Sequence, residues 1–294
     1  MFVEAIETAS KYTRAIHSIS RNYGSTIIQP GTATLFFVNS DGWALTCGHV
    51  ANQIVASEQI NLKAETFRKE LDSRKGTLKQ NKLLIELQKK YDYSKEKTYE
   101  LYNTFMNCVE GGTRLELKKH KEHDVALILF KSFTRLMCDT FPIFPSDTSI
   151  LQQGKILCRL GFPFPEFTNF EYDQAKDQIK WNDADRKVTP RFPIEGMLTR
   201  FVQDNQGNRF AFELSIPGLR GQSGGPAFDI EGKVWGMQFQ TAHLDLDFDV
   251  DQEVIRKGNK KHVTDSAFLH VGRCIHVDVL KSFMKDHNVS FQED

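Results

Sequence analysis

Apolar residues recur along the chain with two periods, one typical of strands and one typical of helices. Apolar runs over residues 31–38, 43–47 and 125–130 predict buried β-strands. Residues 39–42 join the first two runs and contain Asp-Gly, which is typical of a β-hairpin turn. Residues 3–19 carry apolar positions at helical spacing, so they predict an N-terminal helix that packs on the strands.

A long segment between the second and third of these strands has a different composition. Residues 62–106 are rich in Lys, Glu, Leu and Gln, contain no proline, and carry apolar residues such as Leu78 at helical spacing. The pattern predicts two antiparallel helices with a break near residues 92–94. Gly76 then lies inside the first helix, at a cost of about 1 kcal/mol.

Two interpretations of this insertion, which spans residues 53–110, stay open. It is either a solvated helical hairpin that lengthens a surface loop, or a docking element for a regulatory protein partner. The second interpretation is favoured by the length of the hairpin, because isolated helices are marginal unless they pack on something. Its basic residues are interleaved with acidic ones, as on a solvated helix face, so no binding of nucleic acid is expected.

Length, charge and cysteine content limit the number of domains, the binding partners and the cellular compartment that the sequence allows. The 294 residues suffice for two small domains with separate cores, and the formal net charge of +0 implies no general attraction to nucleic acid or anionic membranes. No apolar run approaches the roughly 20 residues that span a bilayer, and the N-terminal residues do not resemble a signal peptide, so no membrane association is expected. The five cysteines are an odd number, which favours buried free thiols and a cytoplasmic location.

The candidate chemistry begins with residues 221–226, whose sequence is Gly-Gln-Ser-Gly-Gly-Pro. A serine between glycines is typical of a nucleophile on a tight turn, because glycine allows backbone conformations that direct N–H groups toward an oxyanion. Such a serine needs a base and a carboxylate that orients the base. His49 follows the second predicted strand, and Asp124 precedes the third, where a carboxylate is half-buried and still within reach of a histidine.

These motifs resemble those of a known family. Thr-Cys-Gly-His at residues 46–49, Asp-Val-Ala-Leu-Ile at residues 124–128 and the serine turn occur in the order His, Asp, Ser. In residues and in order they resemble the chymotrypsin-like, or trypsin-like, serine peptidases, and within that family the high-temperature-requirement branch. The resemblance covers roughly residues 25–50 and 110–285.

The resemblance implies an all-β core of two six-stranded antiparallel β-barrels of the chymotrypsin-like type, with an N-terminal helix, a helical-hairpin insertion in the first barrel and a C-terminal helix. The implied divisions are an N-terminal helix (1–24), a first barrel with His49, Asp124 and the insertion (25–141), a second barrel with Ser223 (142–276), and a C-terminal helix and tail (277–294).

The resemblance also implies the roles of the catalytic residues. Ser223 is the expected nucleophile, His49 its base, and Asp124 the group that orients His49. The backbone N–H groups of Gly221 and Ser223 are the expected oxyanion hole. Chemistry of this kind requires no cofactor and no metal.

By the same resemblance, substrate is expected to contact a pocket and an edge strand, formed by Pro217, Gly218, Arg220, Gln238, Phe239, Gln240 and Gly272. The residue that corresponds to the base of the trypsin pocket is Pro217 rather than an acid, so cleavage after Lys or Arg is not supported. We hypothesise an uncharged, small-to-medium apolar side chain at the cleaved position. Residues 238–240 are expected to pair with an extended substrate, because backbone pairing to an edge makes little demand on sequence.

The sequence therefore predicts a serine endopeptidase that acts on protein or peptide substrates. Gln222 stands where relatives activated by clipping carry an acid, so zymogen cleavage is not expected, and control is assigned to the insertion, the N-terminal helix or a protein partner. Two alternatives stay open. One is a protease effector of a stress or immune (defence) system that a sensor partner switches on, and the other is a protease-fold binding or scaffold protein without hydrolysis.

Overall fold

The computed structural model describes residues 1–76, 80–256 and 258–294, and its core is built from two six-stranded antiparallel sheets. The helices are α1 (Val3–Tyr12), α2 (Gly48–Ser73), α3 (Gln80–Lys90) and α4 (Val277–Asp286). The strands are β1 (Thr13–Asn22), β2 (Gln29–Phe37), β3 (Trp43–Thr46), β4 (Thr98–Phe105), β5 (Val109–Glu110), β6 (Arg114–Lys119), β7 (Ala126–Lys131), β8 (Arg135–Leu136), β9 (Ile143–Phe144), β10 (Ile156–Gly161), β11 (Phe170–Asp173), β12 (Gln178–Trp181), β13 (Phe192–Gln203), β14 (Arg209–Leu214), β15 (Pro226–Phe228), β16 (Val234–Arg256), β17 (Asn259–His276) and β18 (Gln292–Glu293).

The predicted chymotrypsin-like arrangement of two six-stranded units is confirmed. The first unit is a curled sheet with the strand order β4-β1-β2-β3-β7-β6. The second is a closed barrel with the order β10-β13-β14-β17-β16-β15. The hairpin of β2 and β3 and the buried strand β7 lie where the apolar runs place them, and they fill one core with β10, β15 and α4.

The N-terminal helix is shorter than the predicted 1–24. Helix α1 ends at Tyr12 and β1 follows at once, between β2 and β4. A strand in that position is buried on both faces, so Ala15, Ile16 and Ile19 all reach the core from a strand. Their spacing fits a helix equally well, and only pairing with distant strands decides between the two. The first sheet therefore begins at residue 13 instead of residue 25.

The helical insertion is also shorter than the predicted 53–110. Residues 98–105, which the apolar spacing placed in a helix, form β4 and pair with the open edge of β1, because their tyrosines and threonines favour a strand once an edge is available. The break falls between α2 and α3 instead of near residue 92, and Gly76, at φ +88°, follows α2 instead of lying within a helix. Residues 77–79, which include the predicted apolar position Leu78, lie outside the described part of the chain.

The two helices of the insertion pack on the first sheet through their own small core. We call it the hairpin cluster; its buried members are Ala64, Phe67, Leu83, Leu87, Tyr93 and Tyr99. Ion pairs join Glu70 to Lys90 and Arg74 to Glu86, so α2 and α3 run antiparallel, as the sequence predicts. The hairpin is therefore docked on β4 rather than extended into solvent.

Two further features frame the second barrel. Strands β16 and β17 continue past the barrel as a long hairpin that pairs as far as residues 256 and 259. Helix α4 begins after His276, whose side chain accepts a hydrogen bond from the backbone N–H of Asp278, and it packs into the shared core. Among the described residues, none of the helices combines the length and the apolar character that a bilayer crossing requires.

Candidate active site

His49 and Asp124 are brought together by the ends of two neighbouring strands. Asp124 lies two residues before β7, and His49 lies in the first turn of α2, which follows β3. The carboxylate of Asp124 accepts hydrogen bonds from the His49 backbone N–H at 2.8 Å and from Nδ1 at 2.7 Å. A Cβ atom at Gly48 would lie 3.0 Å from the carboxylate, so glycine leaves room for this approach. With Nδ1 donating, the other ring nitrogen of a neutral His49, Nε2, is the acceptor.

Ser223 stands on a turn whose glycines are required by close contacts. Gly221 has φ +98° and Gly224 has φ +89°, conformations that other residues rarely adopt. A Cβ atom at Gly224 would lie 2.0 Å from the carbonyl oxygen of Thr34, and one at Gly225 would lie 2.2 Å from that of Leu160. The turn is therefore wedged between β2 of the first sheet and β10 of the second barrel.

Hydrogen bonds from the first sheet fix this turn. The Thr34 backbone N–H donates to the Ser223 carbonyl at 2.9 Å, and the Thr34 hydroxyl donates to the Gly221 carbonyl at 2.8 Å. The Thr46 hydroxyl donates to the Thr34 carbonyl at 2.7 Å. Neither threonine is assigned a role from the sequence, although Thr46 stands in the motif at residues 46–49 and hydroxyl residues in apolar strands are a usable signal. They join the serine of one barrel to the sheet that carries His49.

The backbone donors of the predicted oxyanion hole are unengaged. Within the described part of the chain, the N–H groups of Gly221 and Ser223 donate to no other protein group. The Gln222 side chain between them is buried, accepts from the Leu219 N–H at 2.9 Å and donates to the Phe192 carbonyl at 3.3 Å. Gln222 thus braces the turn from behind and leaves the two N–H groups available to an anion.

His49 and Ser223 line one cleft of about 760 Å³ between the two β units. The first sheet and α2 form one wall, and the other is formed by residues 218–221, Ser223, residues 238–241 and His243. The Ser223 hydroxyl makes no hydrogen bond to any described residue, so it is not yet engaged with Nε2 of His49. Hydrogen bonds of this kind often tighten only when substrate closes the site.

Five of the seven predicted substrate-binding residues line this cleft: Gly218, Arg220, Gln238, Phe239 and Gln240. The other two lie behind it. The carbonyl of Pro217 accepts a hydrogen bond from Arg159, and a Cβ atom at Gly272 would lie 2.0 Å from Arg159 Nη1.

Part of β16 presents a free edge to the cleft. On one side β16 pairs with β17 along its length, whereas on the other side its pairing with β15 ends at Met237. Residues 239–241 lie beyond this pairing, and the Gln240 carbonyl accepts a hydrogen bond from the Gln238 side chain at 2.7 Å. The pairing of residues 238–240 with an extended substrate stays a prediction.

Arg159 was missed by sequence analysis and lies directly behind the cleft. It stands in β10, is fully buried, and donates from Nη1 to the Gln238 side-chain oxygen at 2.7 Å. Its Nη2 donates to the carbonyls of Ile216 at 2.9 Å and Pro217 at 3.3 Å. A charged residue inside the otherwise apolar run 156–160 was the available signal.

Cys47, His49 and Asp124 lie close enough together to suggest a metal site. However, the Cys47 thiol is fully buried and donates to the Gln238 carbonyl at 3.3 Å. Burial raises the pKa of Cys47 well above its usual value, with the Asp124 charge adding to the effect. A protonated, donating thiol is not a metal ligand, because metals bind the thiolate.

One family model and several solved structures are similar to this chain. A family model described as a trypsin-like peptidase domain matches residues 31–237. No curated protein sequence matches the chain. Solved structures similar to it include the HtrA-type protease AlgW with a tripeptide (TM-score 0.48, 11% identity, covering 97% of this chain and 62% of that one) and a variant of AlgW with a decapeptide (TM-score 0.49, 9% identity, covering 98% and 68%). The chain thus spans 62% of the length of the first of these structures.

Proposed function

Because the chain belongs to the family of trypsin-like peptidase domains, we propose that it is a serine endopeptidase with Ser223, His49 and Asp124 as its catalytic triad. The observation that carries the proposal is the Asp124–His49 pair, which faces the same cleft as a serine on a glycine turn. A protein that only binds has no need of all three groups, which weighs against the binding or scaffold alternative.

The chemistry follows from the positions of the groups. Nε2 of His49 takes the Ser223 hydroxyl proton as Oγ attacks a peptide carbonyl carbon, and Asp124 stabilises the imidazolium through Nδ1. The N–H groups of Gly221 and Ser223 receive the oxyanion. His49 then donates the proton to the leaving amine, and water, deprotonated by His49, releases the acyl group and restores Ser223.

The test is covalent labelling of the nucleophile by a fluorophosphonate probe. The wild-type chain is expected to be labelled, and Ser223→Ala is expected to lose both labelling and peptide hydrolysis, on the order of a million-fold in kcat. Ser282→Ala, an exposed serine in α4, is the matched control and keeps full labelling. A folded wild-type chain that takes up no probe would favour the binding or scaffold function instead.

The proposal extends to control through the insertion and a protein partner. His49 lies in the first turn of α2, and Gln53 and Ile60 of the same helix line the cleft. Asn61 bonds the Leu101 backbone in both directions, at 2.7 and 3.0 Å, and so ties α2 to β4. A partner that shifts the hairpin would therefore move one wall of the cleft. Turnover of unfolded casein by the purified chain is the measurement that tests this control.

We assign the protein to a reducing compartment such as the cytoplasm. All five cysteines are free thiols, and four of them are buried. Burial raises the pKa of Cys158 to about 12 and that of Cys274 to about 12, so both remain protonated small apolar groups. Localisation of a tagged full-length protein by cell fractionation tests the assignment, and recovery outside the cytoplasm would contradict it.

A further inference from the structure

Arg159 is a cation buried without an anion. Its side chain is fully buried, and its acceptors are one amide and two backbone carbonyls. No carboxylate in the described part of the chain pairs with it, and its Nε has no hydrogen-bond partner there. A buried charge is costly unless it is paired. A negative charge brought close to Arg159 would therefore be stabilised.

The charge of Arg159 reaches the cleft through Gln238. Arg159 Nη1 holds the Gln238 side-chain oxygen, so the Gln238 amide nitrogen points away from it and donates to the Gln240 carbonyl at 2.7 Å. A Cβ atom at Gly218 would lie 2.2 Å from that nitrogen. Gly218 and Gln238 both line the cleft beside Ser223. A positive charge and an amide N–H donor therefore lie one behind the other at this end of the cleft.

The cleft itself adds a second cation and no acid. Arg220 is exposed on the cleft wall, and no described residue forms an ion pair with it. None of the described residues that line the cleft is Asp or Glu, and Asp124 is engaged by His49. The Gly218 corner therefore has two cations near it, Arg159 behind and Arg220 at the rim, and no acid among the described residues that line the cleft.

We propose that this corner receives an acidic side chain, so that the enzyme cleaves after Glu or Asp, with Arg159 as the specificity-determining residue. The carboxylate lies beside Gly218, accepts from the Gln238 amide N–H and pairs with Arg220 at the rim. Arg159 fixes the donor direction of Gln238 and supplies the buried positive charge that the substrate offsets. The inference rests on the proposed peptidase function.

This specificity replaces the small apolar side chain that the sequence suggests. An apolar side chain would leave Arg159 unpaired. It would also desolvate the second N–H of the Gln238 amide, the one not donated to the Gln240 carbonyl, without offering it an acceptor, which costs binding. A lysine or arginine would be repelled by two cations. The plain alternative is that Arg159 only braces the 216–217 loop from within, and this makes no demand on the substrate.

The experiment compares peptides that differ only at the cleaved position, carrying Glu, Gln, Leu or Lys. With the full-length wild-type chain, kcat/KM for the Glu peptide is expected to exceed that for the Gln peptide by about 10- to 100-fold, which is the range of a charge-assisted hydrogen bond. A mixed peptide library read by mass spectrometry checks that cleavage follows Glu and Asp. A preference for Leu, Gln or Lys would overturn the inference.

Two variants distinguish a role of Arg159 in substrate specificity from a purely structural role. Arg159→Met keeps an unbranched side chain as far as the position of Nε and removes the charged guanidinium group, and Arg220→Gln removes the rim cation. Each is expected to reduce the Glu-to-Gln ratio by about 10-fold while leaving fluorophosphonate labelling of Ser223 in place. Arg135→Gln, which removes an exposed arginine outside the cleft, is expected to change neither. If Arg159→Met lowers cleavage of all peptides equally, Arg159 is only a brace and the inference fails.

The peptidase function and the preference for Glu or Asp are refuted by different results. A wild-type chain that takes up no probe refutes the peptidase function itself. A wild-type chain that is labelled but does not prefer Glu or Asp refutes only the specificity. If Arg159→Met does not fold, the wild-type peptide ratios and Arg220→Gln still decide the matter.

Discussion

The residues of the site differ in how far the sequence predicts their roles. His49, Asp124 and Ser223 stand in local motifs whose chemistry depends on neighbouring glycines. His49 and Ser223 line one cleft, and Asp124 is hydrogen-bonded to His49. Arg159 could not be assigned in the same way. The role of Arg159 depends on its hydrogen bond to Gln238, which is 79 residues away in the chain. It also depends on the absence of a carboxylate among the described residues around it. Composition shows that an arginine is present, whereas only the fold shows that it is unpaired.

His17 makes stability depend on pH. It is buried in β1, its Nε2 lies 2.9 Å from the Thr189 hydroxyl, and its ring stacks on Phe167. Burial lowers the pKa of His17 from 6.5 to about 4. Between those values the unfolded chain binds a proton that the folded chain does not. Stability is therefore complete above about pH 6.5 and falls as the pH drops toward 4, by roughly 3 kcal/mol.

Urea unfolding at several pH values checks this prediction. His17→Gln is expected to flatten the loss of unfolding free energy between pH 6.5 and pH 4, although it lowers stability at pH 7. His262→Gln, which changes an exposed histidine on β17, is the control and keeps the wild-type slope. Equal slopes for wild type and His17→Gln would show that His17 is not the titrating group.

At the scale of elements, strands with local partners were predictable and strands with distant partners were not. The β2–β3 hairpin carries its turn and both apolar runs within residues 29–46. In contrast, β1 and β4 pair with each other across some eighty residues, for example Ile19 with Tyr102. Their sequences fit helical spacing, and the pairing that overrides it is invisible to any local pattern.

The insertion hairpin depends on Phe67, which leads to a prediction about control. Phe67 packs edge-on against Tyr93 at 5.2 Å and against Tyr23 at 5.7 Å in the hairpin cluster. Phe67→Ala is expected to cost about 3–5 kcal/mol of local packing and to make α2 itself more susceptible to limited proteolysis. Leu62→Ala, on the exposed face of the same helix, is expected to change little.

Casein turnover then tests whether the hairpin restrains the active site. The purified wild-type chain is expected to be slow. Phe67→Ala is expected to be faster, because a loosened hairpin imitates the shift that a partner would impose on the cleft wall. Leu62→Ala should match wild type. Rapid turnover by the wild-type chain alone would contradict control through the insertion.

At the scale of the whole molecule, the terminal helices bridge the two β units. Helix α1 precedes the first sheet but packs on the second barrel, where Phe2 contacts Phe228 edge-on at 6.5 Å. Helix α4 follows the second barrel but reaches the first, where Phe283 lies 5.2 Å from His120. The Asn39 amide also donates to the Ser290 carbonyl at 2.8 Å. Since His49 and Ser223 belong to different units, these bridging termini hold the proposed catalytic groups in register.

The bridging by α1 and α4 predicts how the molecule unfolds. Each of Phe2→Ala and Phe283→Ala removes a buried ring and is expected to cost about 3–5 kcal/mol. The double variant is expected to split the single calorimetric transition of the wild type into two, because the units then unfold independently. It should also lower kcat of peptide hydrolysis while each unit keeps its β-sheet circular dichroism. Phe248→Ala, an exposed ring on the β16–β17 hairpin, serves as the control. A double variant that still unfolds in one transition would mean that the interface formed by Thr34, Thr46 and the serine turn is sufficient to couple the two units.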